Sequence, residues 1–148
     1  AGRFAEAKAD CDRALAFDPH LVGARLTRAA AHLQTNLQAE QNGAAPGPLP
    51  PEAFDDIRRV TAAVPDHPDG WLVSAQLQLA GGAPDGPARS TEDVARAVRA
   101  GAPPDGLRNR PSFFRQLDPD AFNAALGTKP ERPTPTRNLH LVDPIAGD

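Results

Sequence analysis

The placement of proline constrains this chain more than any other feature of its sequence. Seventeen of the 148 residues are proline, and proline interrupts helices because it lacks an N–H and clashes with the preceding turn. Beyond the first 18 residues the prolines leave four long clean stretches, at 20–45, 52–64, 69–83 and 88–102. Each stretch is rich in residues that favour helices, such as Ala, Leu, Arg and Gln. The spacing therefore predicts helices separated by proline turns.

Apolar residues recur in these stretches at steps of three and four, which is the period of a helix. The predicted stripes are Phe4, Ala7, Cys11, Ala14 and Leu15; Val22, Leu26, Ala29, Leu33 and Leu37; Phe54, Ile57, Val60 and Val64; and Trp71, Ala75 and Leu79. Leu72, Val73 and Leu77 give the fourth helix a second apolar side, so we expect it to be buried from two directions. No stretch shows sustained β-branched alternation, and the chain is predicted to be all-α.

Polar residues mark further helix ends. The run Ser90–Asp93 predicts the capped start of a fifth helix, and Gly101 is placed to end it. Pro111 and Pro119 each fit the first turn of a short late helix, with Asp118 as the cap of the last one.

An internal repeat follows from the prolines at positions 19, 65 and 103. Positions five, eight and twelve before each proline are small or apolar in eight of nine cases, as expected where neighbouring helices approach closely. These positions hold Ala14, Cys11 and Ala7; Val60, Ile57 and Ala53; and Val98, Ala95 and Thr91. The order is helix, helix, proline turn, repeated.

The stretch GRFAEAKADCDRALAFDP, residues 2–19, resembles the second helix of a tetratricopeptide repeat. Its matching positions are Gly2, Phe4, Ala7, Ala14, Leu15 and Pro19. Trp71 and Ala75 match the first-helix signature of that family, and the resemblance covers residues 2–101. Two departures stand out. The prolines lie 46 (65 − 19) and 38 (103 − 65) residues apart, against a repeat of about 34, and strict spacing places Arg25 at a core position.

The resemblance implies a short right-handed α-solenoid of antiparallel helix pairs over 1–101, with a long loop at 38–50. Residues 102–127 are expected to form C-terminal capping helices, and 128–148 an extended proline-rich tail. Because the resemblance begins in the second helix of a pair, we expect Ala1 to be an internal boundary of a longer protein.

The sequence gives little support for nucleic-acid binding, for a membrane span or for catalysis. The net charge of −3 provides no global basic field for nucleic acid, and no segment is apolar enough to span a bilayer. The single Cys11 lies on an apolar stripe and is predicted to be a small core residue. The acidic pairs Asp55–Asp56 and Glu92–Asp93 are predicted to lie in first helical turns, where they offset the helix dipole. No catalytic motif is present, so we expect a non-enzyme without a metal or cofactor.

A basic cluster lies late in the chain and is better suited to an acidic protein partner than to nucleic acid. It contains Arg96, Arg99, Arg108, Arg110 and Arg115. Four histidines, His20, His32, His67 and His140, have no spacing typical of a metal site.

The resemblance implies that a partner protein lies in a concave groove lined by helices 22–36 and 69–80. The predicted groove residues are Thr27, Arg28, Ala31, Gln34, Val73, Gln76 and Ala80, all expected at exposed positions. Leu139, Leu141, Val142 and Ile145 are predicted to anchor the tail on a surface.

Two alternative functions stay open. The chain is an accessory subunit docked in a multi-subunit complex through its first helix and tail, or the non-catalytic interaction region of a larger enzyme, such as a signalling kinase or a cytochrome-containing protein.

Overall fold

A computed structural model describes residues 2–45, 47–108, 114 and 116–128, and these residues form helices and no strand. The helices are α1 (Gly2–Phe17), α2 (Val22–Gln41), α3 (Pro51–Ala63), α4 (Pro68–Ala80), α5 (Gly86–Arg99), α6 (Pro104–Arg108) and α7 (Pro119–Leu126). The prediction of an all-α chain is confirmed for this part.

Proline and glycine set the helix boundaries as their chemistry requires. Pro51, Pro68, Pro87 and Pro119 lie in the first turns of α3, α4, α5 and α7, where a missing N–H leaves no helical bond unmade. Gly101 follows α5 with a φ of 111°, a left-handed conformation that terminates helices. The predicted cap of the last helix is also confirmed. Its Asp118 carboxylate accepts a hydrogen bond of 2.9 Å from the Ala121 N–H.

Two predicted boundaries are wrong. The helix α5 begins at Gly86, one turn before Ser90, because Pro87 is tolerated in a first turn and does not delay the start. Ser90 is therefore an interior residue of α5 and not its cap. The helix α2 continues to Gln41, so the long connection begins at Asn42 instead of residue 38. Pro111 lies outside the described residues.

The buried apolar residues form two cores that meet at α4. The α2–α4 core contains Ala29, Leu33, Ala53, Ile57, Val60 and Leu77, with Val22, Leu26, Leu37, Leu49, Phe54, Val64 and Val73 packed against it. The α4–α7 core contains Ala75, Leu79, Val94, Ala97, Val98, Ala102, Leu107, Phe114, Leu117, Ala125 and Leu126, with Trp71, Leu72, Ala95 and Phe122 packed against it. The helix α4 contributes to both cores, which confirms that it is buried from two directions.

Each of the first four helices packs against the next, α7 packs against α5, and α2 also contacts α4. The helix α1 is attached differently from the others. Its buried side chains, Cys11 and Leu15, belong to neither core. At its end Phe17 is 94% exposed.

Candidate interaction surface

Helix α2 directs basic side chains towards a buried carboxylate on α3. Arg25 and Arg28 lie one turn apart on α2, and the side chain of Asp56 on α3 is 1% exposed. Asp56 accepts hydrogen bonds from Arg25 Nη1 at 2.8 Å, from Arg28 Nε at 2.7 Å and from Arg28 Nη2 at 2.9 Å. Asp56 is thus held by charge-assisted hydrogen bonds, one pair of them bidentate, which is the strong geometry for arginine and a carboxylate.

The contacts of Asp56 extend into a polar network across α1, α2 and α3. Arg28 Nη1 donates to Asp12 Oδ1 at 2.9 Å and lies 3.4 Å from Glu52 Oε1. Lys8 donates to Asp12 at 3.0 Å. We use the name polar network for Lys8, Asp12, Arg25, Arg28, Glu52 and Asp56. Its three cations and three carboxylates balance in formal charge.

The network shifts the pKa of two of its members, Asp12 and Arg28, in the direction that keeps them charged. Hydrogen bonds from Arg28 and then from Lys8 hold the pKa of Asp12 below its usual range. Hydrogen bonding to Asp56 raises the pKa of Arg28, against the opposing effect of burial. Both shifts favour the ionised forms because each charge lies beside an opposite charge.

The residues predicted to line a groove lie in different surroundings. Thr27 and Gln34 are exposed on α2, Ala80 is exposed on α4, and Gln76 on α4 is half-buried. We call these four residues the outer stripe. The spacings of seven on α2 and four on α4 place each pair on one side of its helix, and the two helices contact each other. No residue of the outer stripe carries a charge.

Three other predicted groove residues are placed differently. Val73 is half-buried against the α2–α4 core. Arg28 is occupied by the polar network, with its side chain 14% exposed. Ala31 is 5% exposed, so its prediction as an exposed residue is wrong. It lies one turn beyond Arg28, on the side of α2 that reaches α1 through Asp12.

The sequence reasoning missed Arg25, Glu52 and Asp56 as interacting residues, although a signal was present. Arg25 at a core position of the repeat requires a buried partner of opposite charge. Glu52 and Asp56 are four residues apart on α3, and Arg25 and Arg28 three apart on α2. Matching these two charged faces would have paired the helices.

A second polar group lies between α4 and α5. The buried carboxylate of Asp93 accepts from Ser74 Oγ at 2.6 Å and from Arg96 Nη1 at 2.9 Å. The Arg96 guanidinium also lies 5.1 Å from the centre of the Trp71 ring, within reach of a cation–π contact. Burial raises the pKa of Asp93, and the hydrogen bonds from Ser74 and Arg96 oppose that rise.

The prediction that the two acidic pairs lie in first helical turns is wrong. Asp55 and Asp56 are the fifth and sixth residues of α3, which begins at Pro51. Glu92 and Asp93 are the seventh and eighth residues of α5, which begins at Gly86. Asp56 and Asp93 therefore bind side chains of neighbouring helices.

Cys11 is a buried free cysteine, as predicted for a core residue. Burial is the main cause that raises the pKa of its thiol, while the positive charge of Arg28 acts in the opposite direction. A thiol with a raised pKa is a poor nucleophile because the thiolate is the reactive form.

Over 2–45, 47–108 and 116–128, no cluster of three or more His, Cys, Asp or Glu side chains is placed to hold a metal ion. Within the same ranges, no helix combines the length and the apolar character needed to cross a bilayer. The predicted tail anchors Leu139, Leu141, Val142 and Ile145 lie outside the described residues, as do Arg110, Arg115 and His140.

Comparison of the chain with protein-family models, with curated proteins and with solved structures gives no significant match.

Proposed function

We propose that this chain is a binding scaffold of the tetratricopeptide-like kind, which holds a partner protein along the outer stripe and does not act as an enzyme. The observation that carries the proposal is the contrast between two sides of α2. The side with Arg25 and Arg28 is occupied by the polar network, whereas the side with Thr27 and Gln34 is exposed and uncharged.

The order of helix contacts supports the assignment of stacked helix pairs. If α2–α3 and α4–α5 are pairs, each helix contacts its partner and α2 also contacts α4, and both kinds of contact occur. Repeat proteins stack such pairs so that each unit buries its apolar face on its neighbours. In this arrangement the first helices of successive pairs share one surface, and that surface includes the outer stripe.

The chemistry of the outer stripe favours a partner bound without ion pairs. Hydroxyl and amide side chains can donate and accept hydrogen bonds, and Ala80 provides a small apolar contact. The surface has no charge to desolvate, so a neutral segment of a partner protein can bind without leaving an unpaired ion at the interface.

A photocrosslinking experiment tests this proposal. Benzoylphenylalanine is placed at Gln34 on the outer stripe or at Ala62, an exposed residue of α3, and crosslinked proteins from the native source are identified by mass spectrometry. We expect one protein to crosslink from position 34 and not from position 62. Equal yields of the same protein from both positions would contradict the proposal.

The affinity of the identified partner is then measured with purified proteins. Ala80→Arg introduces a charge on the outer stripe, and Ala124→Arg introduces the same charge at an exposed position of α7. We expect A80R to weaken binding by about tenfold or more, because a desolvated, unpaired charge costs more than about 1.4 kcal/mol. A124R should bind as the unmodified chain does. If A80R binds equally well, the outer stripe is not the binding surface.

A further inference from the structure

A concave site lies on another side of α2 from the outer stripe, where the connection between α2 and α3 folds back on the helix. Its volume is about 160 Å³, similar to the cavity of about 150 Å³ that holds one benzene molecule in another protein. Its walls include His32, Thr35, Asn36 and Ala39 of α2 and Pro48 and Leu49 of the connection. We call it the loop pocket.

The loop pocket is separate from the outer stripe. Asn36 follows Gln34 by two residues, which corresponds to about 200° of rotation around a helix with 3.6 residues per turn. The two side chains therefore leave α2 in nearly opposite directions. A ligand in the loop pocket does not compete with a partner on the outer stripe, and the inference does not rest on the function proposed above.

One wall of the loop pocket offers hydrogen-bond acceptors. Asn36 Nδ2 donates to the Gly47 carbonyl oxygen at 2.6 Å, which fixes the orientation of the amide, and its Oδ1 has no partner among the described residues. His32 Nε2 lies 2.7 Å from Glu52 Oε2. Since a carboxylate only accepts, Nε2 carries the hydrogen, and in the neutral form of the ring Nδ1 is therefore the acceptor. Thr35 Oγ1 donates to the Ala31 carbonyl oxygen at 2.9 Å and keeps its lone pairs.

The rest of the lining is apolar and offers few donors. It consists of Ala39, which follows Thr35 and Asn36 on the same side of α2, and of Pro48 and Leu49 in the connection. Pro48 and Pro50 have no N–H to give. None of the residues lining the pocket is Asp, Glu, Lys or Arg. A charged ligand would therefore find no such counter-ion in the lining and would lose its hydration.

We propose that the loop pocket binds a small, flat, neutral molecule that carries N–H donors on one edge, such as a primary carboxamide on a ring. The ring packs against Pro48 and Leu49, and the two amide hydrogens reach the acceptors of Asn36 and His32. The polar and apolar walls select respectively for the donor edge and for the ring.

Three probes of similar size test this assignment on the full chain. Benzamide has a ring and two N–H donors, methyl benzoate is neutral without an N–H, and benzoate carries a charge without an N–H. Each is titrated while the Asn36 side-chain amide and the Leu49 backbone amide are followed by two-dimensional NMR. We expect saturable chemical-shift changes with benzamide. Methyl benzoate and benzoate should each bind more weakly, by about threefold or more for each hydrogen bond that is lost.

Variants of the acceptors separate binding at this pocket from weak binding elsewhere. His32→Phe keeps an aromatic ring and removes the Nδ1 acceptor, and Asn36→Ala removes Oδ1 together with the bond to Gly47. Each variant should lower the affinity for benzamide by about threefold to tenfold. Gln34→Ala on the outer stripe should leave that affinity unchanged. Because N36A also releases the loop, H32F is the decisive variant. Absence of saturable shifts, equal binding of methyl benzoate, or unchanged affinity in H32F would overturn the proposal.

Discussion

The buried carboxylate of Asp56 allows the polar network to be tested quantitatively. In Asp56→Ala, three hydrogen bonds to Arg25 and Arg28 are lost, and both guanidinium groups stay in a site where their side chains are 14% exposed. Breaking a buried ion pair by removing one partner destabilises a protein by about 3–5 kcal/mol, because the remaining charge is left uncompensated.

The remaining contacts place the expected loss at the lower end of that range. Arg25 keeps its hydrogen bonds of 3.1 and 2.8 Å to the Pro19 carbonyl oxygen, and Arg28 keeps Asp12 at 2.9 Å. We therefore expect D56A to lower the free energy of unfolding by about 3 kcal/mol. For a chain of this size the melting temperature should fall by about 6–12 °C.

The assay is urea unfolding followed by circular dichroism and by the fluorescence of Trp71, the single tryptophan. Coincident transitions by the two probes establish that unfolding is two-state. The matched control is Asp55→Ala on the same helix. Asp55 pairs with Arg58 and Arg59 at the surface, and its side chain is 44% exposed. The free energy of unfolding of D55A should therefore equal that of the unmodified chain within experimental error. If D56A also unfolds within error of the unmodified chain, the network does not stabilise the fold.

Two further predictions concern α5. Asp93 has a pKa raised above 3.8 by burial, so its contribution to stability is full below pH 3.8 and is lost as the pH rises through the folded-state pKa. Asp93→Asn should therefore match or exceed the unmodified chain in urea midpoint at pH 7, with the difference shrinking towards pH 4; a lower midpoint at every pH would contradict this. A Cβ on Gly86 would lie 2.5 Å from the Gln78 carbonyl oxygen, whereas one on Gly23 meets nothing within 4 Å. Gly86→Ala should lower the unfolding free energy by about 1–3 kcal/mol and Gly23→Ala should not, as measured by the same assay; equal effects would refute the close packing of α5 on α4.

The apolar pattern predicted the all-helical class and the buried faces of the central helices because helix packing depends mainly on where apolar residues recur. The stripe from Val22 to Leu37 and the stripe from Phe54 to Val64 both pack in the α2–α4 core. Trp71, Ala75 and Leu79 of α4 pack in the α4–α7 core, and Val73 and Leu77 pack in the α2–α4 core, as the spacing indicated. These features follow from the helical period alone. Leu72, predicted on the side of Val73 and Leu77, packs instead in the α4–α7 core.

The polar residues were harder to place because their role depends on a neighbour distant in sequence. Asp56 and Asp93 fit a helix start by local rules, but Asp56 binds Arg25, 31 residues away, and Asp93 binds Ser74, 19 residues away. Ser90 was predicted as a cap for the same local reason, and its buried hydroxyl has no hydrogen-bond partner among the described residues. A single sequence contains no direct record of such pairings.

The uncharged outer stripe and the buried polar network have one structural origin in α2. Before its last turn this helix carries only Arg25, Arg28 and His32 as ionisable residues, and their spacing places all three on one side. That side faces Asp12, Glu52 and Asp56, which pair with them. Because these three residues are directed towards α1 and α3, the side with Thr27 and Gln34 is left neutral. The same placement leaves His32 beside the loop pocket with a free acceptor, so a single distribution of charge on α2 accounts for the stability, the proposed binding surface and the proposed ligand site.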